Sequence, residues 1–242
     1  MKLDVASVAD AYNNLNHIWS RKDKWHYHTY KSISIFIEKI FSKHIKKEDK
    51  EITILNAGSG GNEYNLKSKK HIHIDLAKKN IIKKKYYIVG SIEDIPLKKE
   101  TIDLILCVGS VLNYTDALKV ISEFHKVLKH DSYLILEFEM SDSLEYFGTT
   151  SFKKNVDIVT TFYNGEEEKI WVYSMSYIKK LLIKRGFKIL EKKYIHVFTP
   201  LIYLLSKNEQ LSSKFVWTDI LFSNLPIINK HSSNVILFCQ KS

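Results

Sequence analysis

The chain has 242 residues, of which 45% are apolar and 26% are charged. This composition is typical of globular proteins and excludes collagen-like, coiled-coil and wholly disordered classes. The formal net charge is +10, yet only Arg21 and Arg185 are arginines. Because the planar arginine fork suits phosphate and base recognition better than lysine, the charge alone does not predict a nucleic-acid partner.

The length favours a single domain over residues 1–242. No apolar stretch approaches the roughly 18 residues that span a bilayer, so no transmembrane segment is expected. The N-terminus lacks the apolar centre of a signal peptide. Both cysteines, Cys107 and Cys239, lie inside apolar runs. Two buried thiols without a disulfide pattern predict a cytoplasmic protein.

The sequence of the first 45 residues predicts helices. Residues 5–18 suggest a short helix, and residues 20–45 a longer one that starts with a capping box from Ser20 to Asp23. Apolar side chains at helical spacing form its buried face; they are Ile33, Phe36, Ile37, Ile40 and Phe41. We expect residues 1–48 to form a helical lid.

Three polar side chains of the longer helix point in different directions around its axis. At about 100° per residue, His26 and Tyr30 extend the buried face, whereas His28 points away from it. A polar pair at one end of an apolar stripe is placed to face a pocket. Since an unperturbed histidine suits proton transfer near neutral pH, His26 is a candidate general base.

Strands and helices then alternate, which predicts an α/β fold with a parallel sheet. The predicted strands are 52–57, 71–75, 86–89, 102–108, 133–139, 187–195 and 234–240, and the predicted helices are 116–129 and 176–185, the last ended by Gly186. Residues 50–140 form the predicted core. Two aromatic-rich segments, 141–172 and 197–231, break the alternation and are expected on the substrate side.

A glycine-rich turn follows the first strand, with the sequence Asn56-Ala-Gly-Ser-Gly-Gly-Asn62, and Asp75 ends the second. Such a turn lets the backbone approach a ligand, and a carboxylate after the second strand can accept hydrogen bonds from a ribose. A dinucleotide turn needs a glycine where this chain has Glu63. A carboxylate there would repel pyrophosphate but not a sulfonium nucleoside, so a nicotinamide enzyme is disfavoured.

The turn resembles motif I of the class I S-adenosylmethionine-dependent methyltransferases, of the type that acts on small molecules. Later segments resemble that family's motifs in order: HIHIDLA, GSIEDIPL at 90–97, IDLILCVGSVLNY at 102–114, EFHKVLKHDSYLILEFE at 123–139 and KRGFKIL at 184–190. The resemblance implies a Rossmann-like, doubly wound, mostly parallel sheet of seven strands with the last strand antiparallel. It also implies S-adenosylmethionine as the cofactor.

The family's roles fall on matching positions of this chain. Backbone at Ala57, Gly58 and Gly60 would meet the methionine part, Asp75 the ribose, Leu76, Ser91 and Ile92 the adenine, and the backbone near Cys107 the ammonium group. Tyr114, at the end of the fourth-strand motif, is assigned with His26 and Tyr30 to the acceptor.

Several residues depart from the family pattern. Asn56 replaces an acidic residue, and Asn62 replaces a glycine. The short span from Asn62 to Asp75 predicts a first helix of a single turn. Asp131-Ser132 replaces the usual glycine pair before the fifth strand.

The acceptor is less defined by the sequence. The segment after the fourth strand reads CVGSVLNY and lacks the Pro-Pro-Tyr pattern of amino methyltransferases, no Pro-Cys pair exists, and no metal is expected from the scattered histidines. We expect methyl transfer to oxygen or nitrogen of a small-molecule acceptor. Two alternatives are an RNA or protein methyltransferase using the lysine surface and a non-catalytic domain of this fold. Segment 197–231 is a candidate for a substrate cover, a homodimer surface or a membrane-surface contact.

Overall fold

A central sheet of seven strands organises the computed structural model, which describes residues 5–14, 19–45, 51–163, 166–219 and 226–242. Its strands are β1 Thr53–Ala57, β2 Lys70–Asp75, β3 Tyr86–Val89, β4 Ile102–Cys107, β5 Leu128–Glu139, β8 Phe187–Ile195 and β9 Asn234–Lys241. The strand order is β3-β2-β1-β4-β5-β9-β8. Neighbouring strands from β1 to β5 are parallel, and β9 is antiparallel to both β5 and β8. The predicted Rossmann-like fold with an antiparallel last strand is confirmed.

Helices cover both faces of this sheet. They are α1 Val5–Asn14, α2 Lys24–His44, α3 Lys78–Ile81, α4 Ala117–Val127, α5 Met175–Lys184, α6 Thr199–Ser206, α7 Glu209–Ser213 and α8 Pro226–Asn229. On one face, Phe124 of α4 and Leu182 of α5 join a core with Leu55. On the other, Ile37 of α2 packs in a second core with Ile54. Because both faces are covered, the central strands are apolar along their length.

The long helix α2 begins at a different cap from the predicted one. Asp23, not Ser20, is the N-cap, and its Oδ1 accepts a hydrogen bond from the His26 amide at 3.0 Å. The Ser20 hydroxyl instead accepts from the Lys22 amide at 3.3 Å, in the turn before the helix. The predicted capping box was therefore wrong in its first residue. Residues 15–18 of the predicted first helix lie outside the described residues.

The connection between β1 and β2 contains turns and no helix, so the predicted single-turn helix was wrong. Tyr64 and Asn65 take left-handed backbone angles, with φ of 51° and 52°, which end any helical path. Tyr64 is buried in the core beneath α2. At the other departure from the family pattern, Asp131 adopts φ of 60°, an angle that aspartate tolerates better than most residues.

The two predicted insertions form separate layers. Residues 141–172 contribute a two-stranded antiparallel hairpin, β6 Val156–Tyr163 and β7 Glu166–Tyr173. Residues 197–231 contribute α6, α7 and α8. None of the described helices is long and apolar enough to cross a membrane.

His28, predicted to point away from the buried face of α2, lies against the second insertion. Its ring centroid is 5.3 Å from that of His196, and its Nε2 is 3.9 Å from an Asp219 carboxylate oxygen. Burial, together with the nearby charge of Lys193, lowers the pKa of His28 to about 4. The helix is covered on two sides because the insertion adds a layer that the helical spacing alone does not reveal.

Candidate functional site

A cavity of about 190 Å³ opens at the carboxyl ends of the parallel strands. The strand order reverses between β1 and β4, which is where ligands bind in open α/β sheets. Side chains and backbone from most layers of the molecule line it. From the glycine turn and the strand ends come Gly58, Ser59, Gly60, Asn62, Asp75, Leu76, Ala77, Gly90, Ser91, Ile92, Glu93, Val108, Gly109, Ser110, Glu139 and Asn234. From the surrounding layers come Val8, Ala9, Tyr12, Trp19, Trp25, His26, Thr29, Tyr64, Val111, Tyr114, Thr115, Thr161, Glu168 and Ile170.

Gly58 is required by a close approach in the turn. Its φ is 70°, and a Cβ built there would lie 2.2 Å from Val111 Cγ1. The Gly58 amide donates to the Ile74 carbonyl at 2.8 Å, which ties the turn to β2. The Asn56 side chain donates to the Asn62 carbonyl at 2.6 Å. The asparagine that replaces the family's acidic residue thus closes the turn on itself.

Asp75 holds the other side of the turn. Its Oδ2 accepts from the Gly60 amide at 2.7 Å and its Oδ1 from the Ala77 amide at 2.8 Å. Burial raises the pKa of this carboxyl, and the amide hydrogen bonds oppose that shift. An ionised carboxylate has about four lone-pair sites, so two remain for ligand hydroxyls. The half-buried side chain lines the cavity.

The loop after β4 is held by a buried carboxylate. Glu137 accepts from the amides of Gly109 and Ser110 at 2.8 and 2.6 Å, and from the Asn234 side chain at 2.7 Å. Ser110 has a φ of 57°, a left-handed angle fixed by these bonds. Glu137 thereby positions the backbone that lines the cavity beside β1.

Two predicted cofactor residues do not line the cavity. Ala57 and Cys107 are fully buried in the core behind it, and burial raises the pKa of the Cys107 thiol. The wall is made by the residues that follow each strand, Gly58 and Val108. Glu63 also lies outside the wall, paired with Lys84 at 3.0 Å on the surface. The expected repulsion between Glu63 and pyrophosphate therefore has no structural basis.

Hydrogen bonds among two tyrosines and a glutamate join three elements over the cavity. Tyr12 of α1 and Tyr114, which follows β4, have hydroxyl oxygens 3.2 Å apart. Tyr114 donates to Glu168 of β7 at 2.6 Å. Tyr114 was assigned to the acceptor from the sequence, and the structure places it in the wall; its partners were not predicted.

His26 lines the cavity and is oriented by Asp23. The His26 Nδ1 and an Asp23 oxygen are 2.6 Å apart, and Glu209 of α7 lies 3.8 Å from the same nitrogen. The potential metal-ligand atoms of these three residues lie within 4.8 Å of one another, a grouping that the sequence did not predict. The hydrogen bond to Asp23 places a proton on Nδ1, the nitrogen that faces both carboxylates, so we describe the group as a histidine–aspartate pair.

Tyr30, predicted beside His26 at the acceptor, does not line the cavity. Its ring packs between those of Trp19 and Tyr64, at centroid distances of 5.3 and 6.2 Å. Trp19 takes the place in the wall instead, where it also lies over Gly109, 3.1 Å from a Cβ built there. Tyr30 supports Trp19 from behind.

Glu139 ends β5 and is a cavity residue that the sequence did not predict. Asn113 binds its backbone in both directions, donating to the Glu139 carbonyl at 3.0 Å and accepting from its amide at 2.9 Å. Tyr146 donates to Oε1. Burial and the neighbouring carboxylate of Glu145 raise the pKa of Glu139 to about 8. A carboxylate after an apolar strand was the available signal.

Comparisons with known proteins identify the class of enzyme to which this cavity belongs. The family model described as a methyltransferase domain matches residues 55–136. An uncharacterised protein of Methanocaldococcus jannaschii is 32% identical over 189 residues, which cover 74% of this chain and 79% of the relative. A putative S-adenosylmethionine-dependent methyltransferase of Listeria monocytogenes superposes with a TM-score of 0.59 at 16% identity, covering 88% of this chain and 98% of that one.

A third similar structure is geranyl diphosphate C-methyltransferase of Streptomyces coelicolor, solved with Mg²⁺, geranyl diphosphate and S-adenosylhomocysteine. Its TM-score is 0.62 at 10% identity, and the match covers 98% of this chain and 97% of that one. At these identities the two solved structures show the fold. With the family model, the archaeal relative and the cavity, they place the chain in the class I S-adenosylmethionine-dependent methyltransferases.

The chain is an enzyme of this class, and its cofactor is S-adenosylmethionine. The cavity fits that cofactor on its own chemistry. Asp75 offers a half-buried carboxylate at the end of β2, and a Cβ built at Gly90 would meet only Ile88 at 3.9 Å, which leaves open space for a ring. No lysine or arginine is among the described lining residues, which suits a sulfonium cation and disfavours pyrophosphate.

Proposed function

We propose that the chain transfers the methyl group to an oxygen or nitrogen nucleophile of a small-molecule acceptor bound inside the cavity. The observation that carries this proposal is the composition of the cavity wall. The helices α1 and α2 and the hairpin β6–β7 contribute Tyr12, Trp25 and Glu168 to the cavity that the glycine turn also lines. A cavity covered by these three elements admits a compact molecule more readily than a polymer.

The charge of the wall argues against a nucleic-acid acceptor. Phosphate backbones are bound by lysine and arginine, which neutralise them. The chain is rich in lysine, yet no lysine or arginine lines the cavity among the residues that the structure describes. The lysine surface therefore supports no RNA-modifying role at this site.

Cofactor binding is assigned by position in the wall. We assign it to Gly58, Gly60, Asp75, Leu76, Ser91 and Ile92, with Val108 in place of Cys107. S-adenosylmethionine supplies a methyl group already activated on a sulfonium sulfur, so the chain's main task is to position the nucleophile. We assign that task to His26, held by Asp23, and to Tyr114, held by Glu168.

One similar solved structure supports a compact acceptor. The Streptomyces coelicolor enzyme is named for geranyl diphosphate, a small molecule. Its fold matches nearly the whole of this chain, including the segments that cover the cavity. The chemistry of that enzyme is not carried over, because an identity of 10% shows the fold alone.

Release of S-adenosylhomocysteine tests this proposal. The purified protein and S-adenosylmethionine are incubated with three fractions of an extract from the producing cells: metabolites below about 1 kDa, total RNA and total protein. We expect product with the metabolite fraction only. Product with RNA or protein, and none with metabolites, would overturn the small-molecule assignment.

Two further predictions rest on the surface and the thiols. Cys107 and Cys239 are free and buried, which supports a reducing, cytoplasmic compartment. Leu205 and Trp217, in segment 197–231, are 79% and 60% exposed, which supports a homodimer surface there. Sedimentation of wild type and Trp217→Ser tests the second, since loss of the apolar patch should leave a monomer.

A further inference from the structure

The cavity wall is acidic in a basic protein. Its described residues include four carboxylates, Asp75, Glu93, Glu139 and Glu168, and no lysine or arginine. The whole chain carries a net charge of +10. A wall of opposite sign to the rest of the molecule concentrates cations. One cation, the sulfonium, is already accounted for by the class of enzyme.

Three of these carboxylates accept hydrogen bonds from groups that hold the fold together. Asp75 holds the glycine turn through two amides. Glu93 accepts from the Asp116 amide at 2.8 Å and pairs with Lys119 at 3.3 Å. Glu168 accepts from Tyr114.

Glu139 is different. Tyr146 donates to its Oε1, and no group of the described residues donates to its Oε2. A half-buried carboxylate oxygen in a cavity wall is costly to leave unpaired.

The sheet places Glu139 away from the ribose side. Asp75 ends β2 and Glu139 ends β5, and β1 and β4 lie between these strands. Three strand spacings separate them, or about 14 Å. Glu139 therefore lies beyond the turn and the β4 loop, away from the carboxylate assigned to the ribose.

Aromatic rings line the same cavity as Glu139. Trp19, Trp25, Tyr12 and Tyr114 all line the cavity. The faces of tryptophan and tyrosine attract ammonium groups, most strongly where water is excluded. Aromatic rings together with a carboxylate oxygen that accepts no hydrogen bond from the described residues form a recognition surface for an organic cation.

We infer that the methyl acceptor is a primary or secondary amine, that it binds as an ammonium ion, and that Glu139 removes its proton. This inference rests on the proposed function and names the substrate class for the same site. Glu139 is then a catalytic residue, because its Oε2 contacts the reacting nitrogen.

The step balances in atoms and electrons. One N–H bond of the ammonium breaks, its electron pair stays on nitrogen, and the proton forms an O–H bond at Glu139 Oε2. The nitrogen lone pair then forms the new N–C bond to the methyl carbon. The electrons of the broken S–C bond remain on sulfur, which leaves as a neutral thioether. The product is a methylated ammonium ion, and the proton on Glu139 returns to water.

The surroundings of Glu139 suit a base of this kind. Glu145 and Tyr146 face it from the 3-10 turn Leu144–Tyr146, Glu137 from β5, Glu209 from α7 and Tyr203 from α6. Burial and these carboxylates raise the pKa of Glu139 to about 8. Proton transfer is most effective when the base titrates near the working pH.

Chemical blocking of amines tests the inference. The metabolite fraction is treated with acetic anhydride and then with hydroxylamine, which leaves amines acetylated and frees phenols and thiols. Release of S-adenosylhomocysteine should fall tenfold or more relative to the untreated fraction. Undiminished release from the treated fraction would overturn the amine and leave the proposed function standing. No release from either fraction would overturn the proposed function and this inference with it.

A binding measurement supplies a readout besides activity. The untreated fraction is dialysed to equilibrium against the protein with S-adenosylhomocysteine, and mass spectrometry identifies the metabolites that the protein enriches. An enriched compound that carries an amine, and whose enrichment falls tenfold or more in Glu139→Gln, is expected. Enrichment of a compound without an amine, or equal enrichment by the variant, would overturn the inference.

Kinetics separate a base from a structural group. Glu139→Gln should lower methyl transfer about 10²-fold or more and leave S-adenosylhomocysteine affinity within twofold. In wild type, kcat/KM should rise with pH up to about 8, and the variant should lose that limb. Glu38→Gln, an exposed acid on α2, is the matched control and should behave as wild type. A wild-type pH profile in Glu139→Gln would exclude Glu139 as the base.

Discussion

The cavity is built differently at its two sides. At the ends of β1 and β2 the wall is mostly backbone, namely a glycine turn that Asp75 fixes through two amides. At the end of β5 and under α1 and α2 it is made of side chains, which come from segments far apart in the chain, such as Tyr12, His26 and Glu168.

This difference follows from what each side must recognise. A cofactor shared by a whole class can be met by backbone geometry, which tolerates many side chains. An acceptor that differs between enzymes must be met by side chains on variable segments. The cofactor side should therefore be sensitive to backbone changes, and the acceptor side to changes of charge and protonation.

The largest effect, a loss of stability against unfolding, is expected from Gly58→Ala. The new Cβ would lie 2.2 Å from Val111 Cγ1, and the residue would keep a φ of 70°. Strain of about 1–2 kcal/mol comes from the left-handed angle, and the collision adds about 1–3 kcal/mol of overpacking. Urea unfolding should show both costs. Gly148→Ala is the control, because its φ is 80° and nothing lies within 4 Å of its Cβ. Equal losses for the two variants would show that the close approach to Val111 is unimportant.

A smaller effect on the same side is expected from Asp75→Ala. The variant loses a charged acceptor for ligand hydroxyls, and charge-assisted hydrogen bonds contribute about 1.5–3 kcal/mol. Affinity for S-adenosylhomocysteine, measured by calorimetry, should fall tenfold to a hundredfold. Glu63→Ala is the control, because Glu63 pairs with Lys84 outside the cavity. A similar loss in the control would contradict the assignment of Asp75 to the ribose.

The fold was largely predictable because its signals are local. Each strand of the core is an apolar run, and the glycine turn marks the switch point in the sequence. The predictions were wrong where the actual backbone path and side-chain contacts differ from what the local sequence pattern indicates. Ser20 resembled a cap, but Asp23 is the residue whose side chain accepts a hydrogen bond from an amide of the first turn of α2, that of His26. The helix expected after β1 is absent because Tyr64 and Asn65 turn the chain there.

The candidate site was predictable on one side only. Five cofactor residues named from the sequence besides Gly58 line the cavity: Gly60, Asp75, Leu76, Ser91 and Ile92. On the acceptor side, His26 and Tyr114 line it, but Tyr30 lies behind Trp19. The angular position of Tyr30 around the helix correctly predicted that it lies on the buried face of α2. That face, however, packs partly against the core and lines the cavity only in part. Glu139 gave only the weak signal of a carboxylate after an apolar strand, and Glu168 gave no pattern, because hairpin and strand ends meet only in three dimensions.

On the acceptor side, His26→Ala should lower methyl transfer about tenfold, as expected for loss of an orienting group, with S-adenosylhomocysteine affinity unchanged. If Glu139 is the base, this loss is smaller than that of Glu139→Gln. Lys24→Ala, an exposed change on the first turn of α2, is the control. His28→Ala is unsuitable because His28 packs against His196. A greater loss in His26→Ala than in Glu139→Gln would identify His26 as the base.

The smallest effect is a pH dependence of stability in the ligand-free protein. Unfolded, Glu139 should titrate near its ordinary pKa of 4.5, whereas burial raises the pKa to about 8 in the folded state. Between these values the folded state keeps a proton that the unfolded state has lost, so stability falls as pH rises from about 5 to 8. Glu139→Gln removes this contribution.

Burial also raises the pKa of Glu137 and Glu145, so both proteins should lose some stability over this range. The melting temperatures of wild type and variant should coincide near pH 5, and at pH 8 the variant should melt higher. Parallel curves would place the retained proton on a carboxyl other than Glu139.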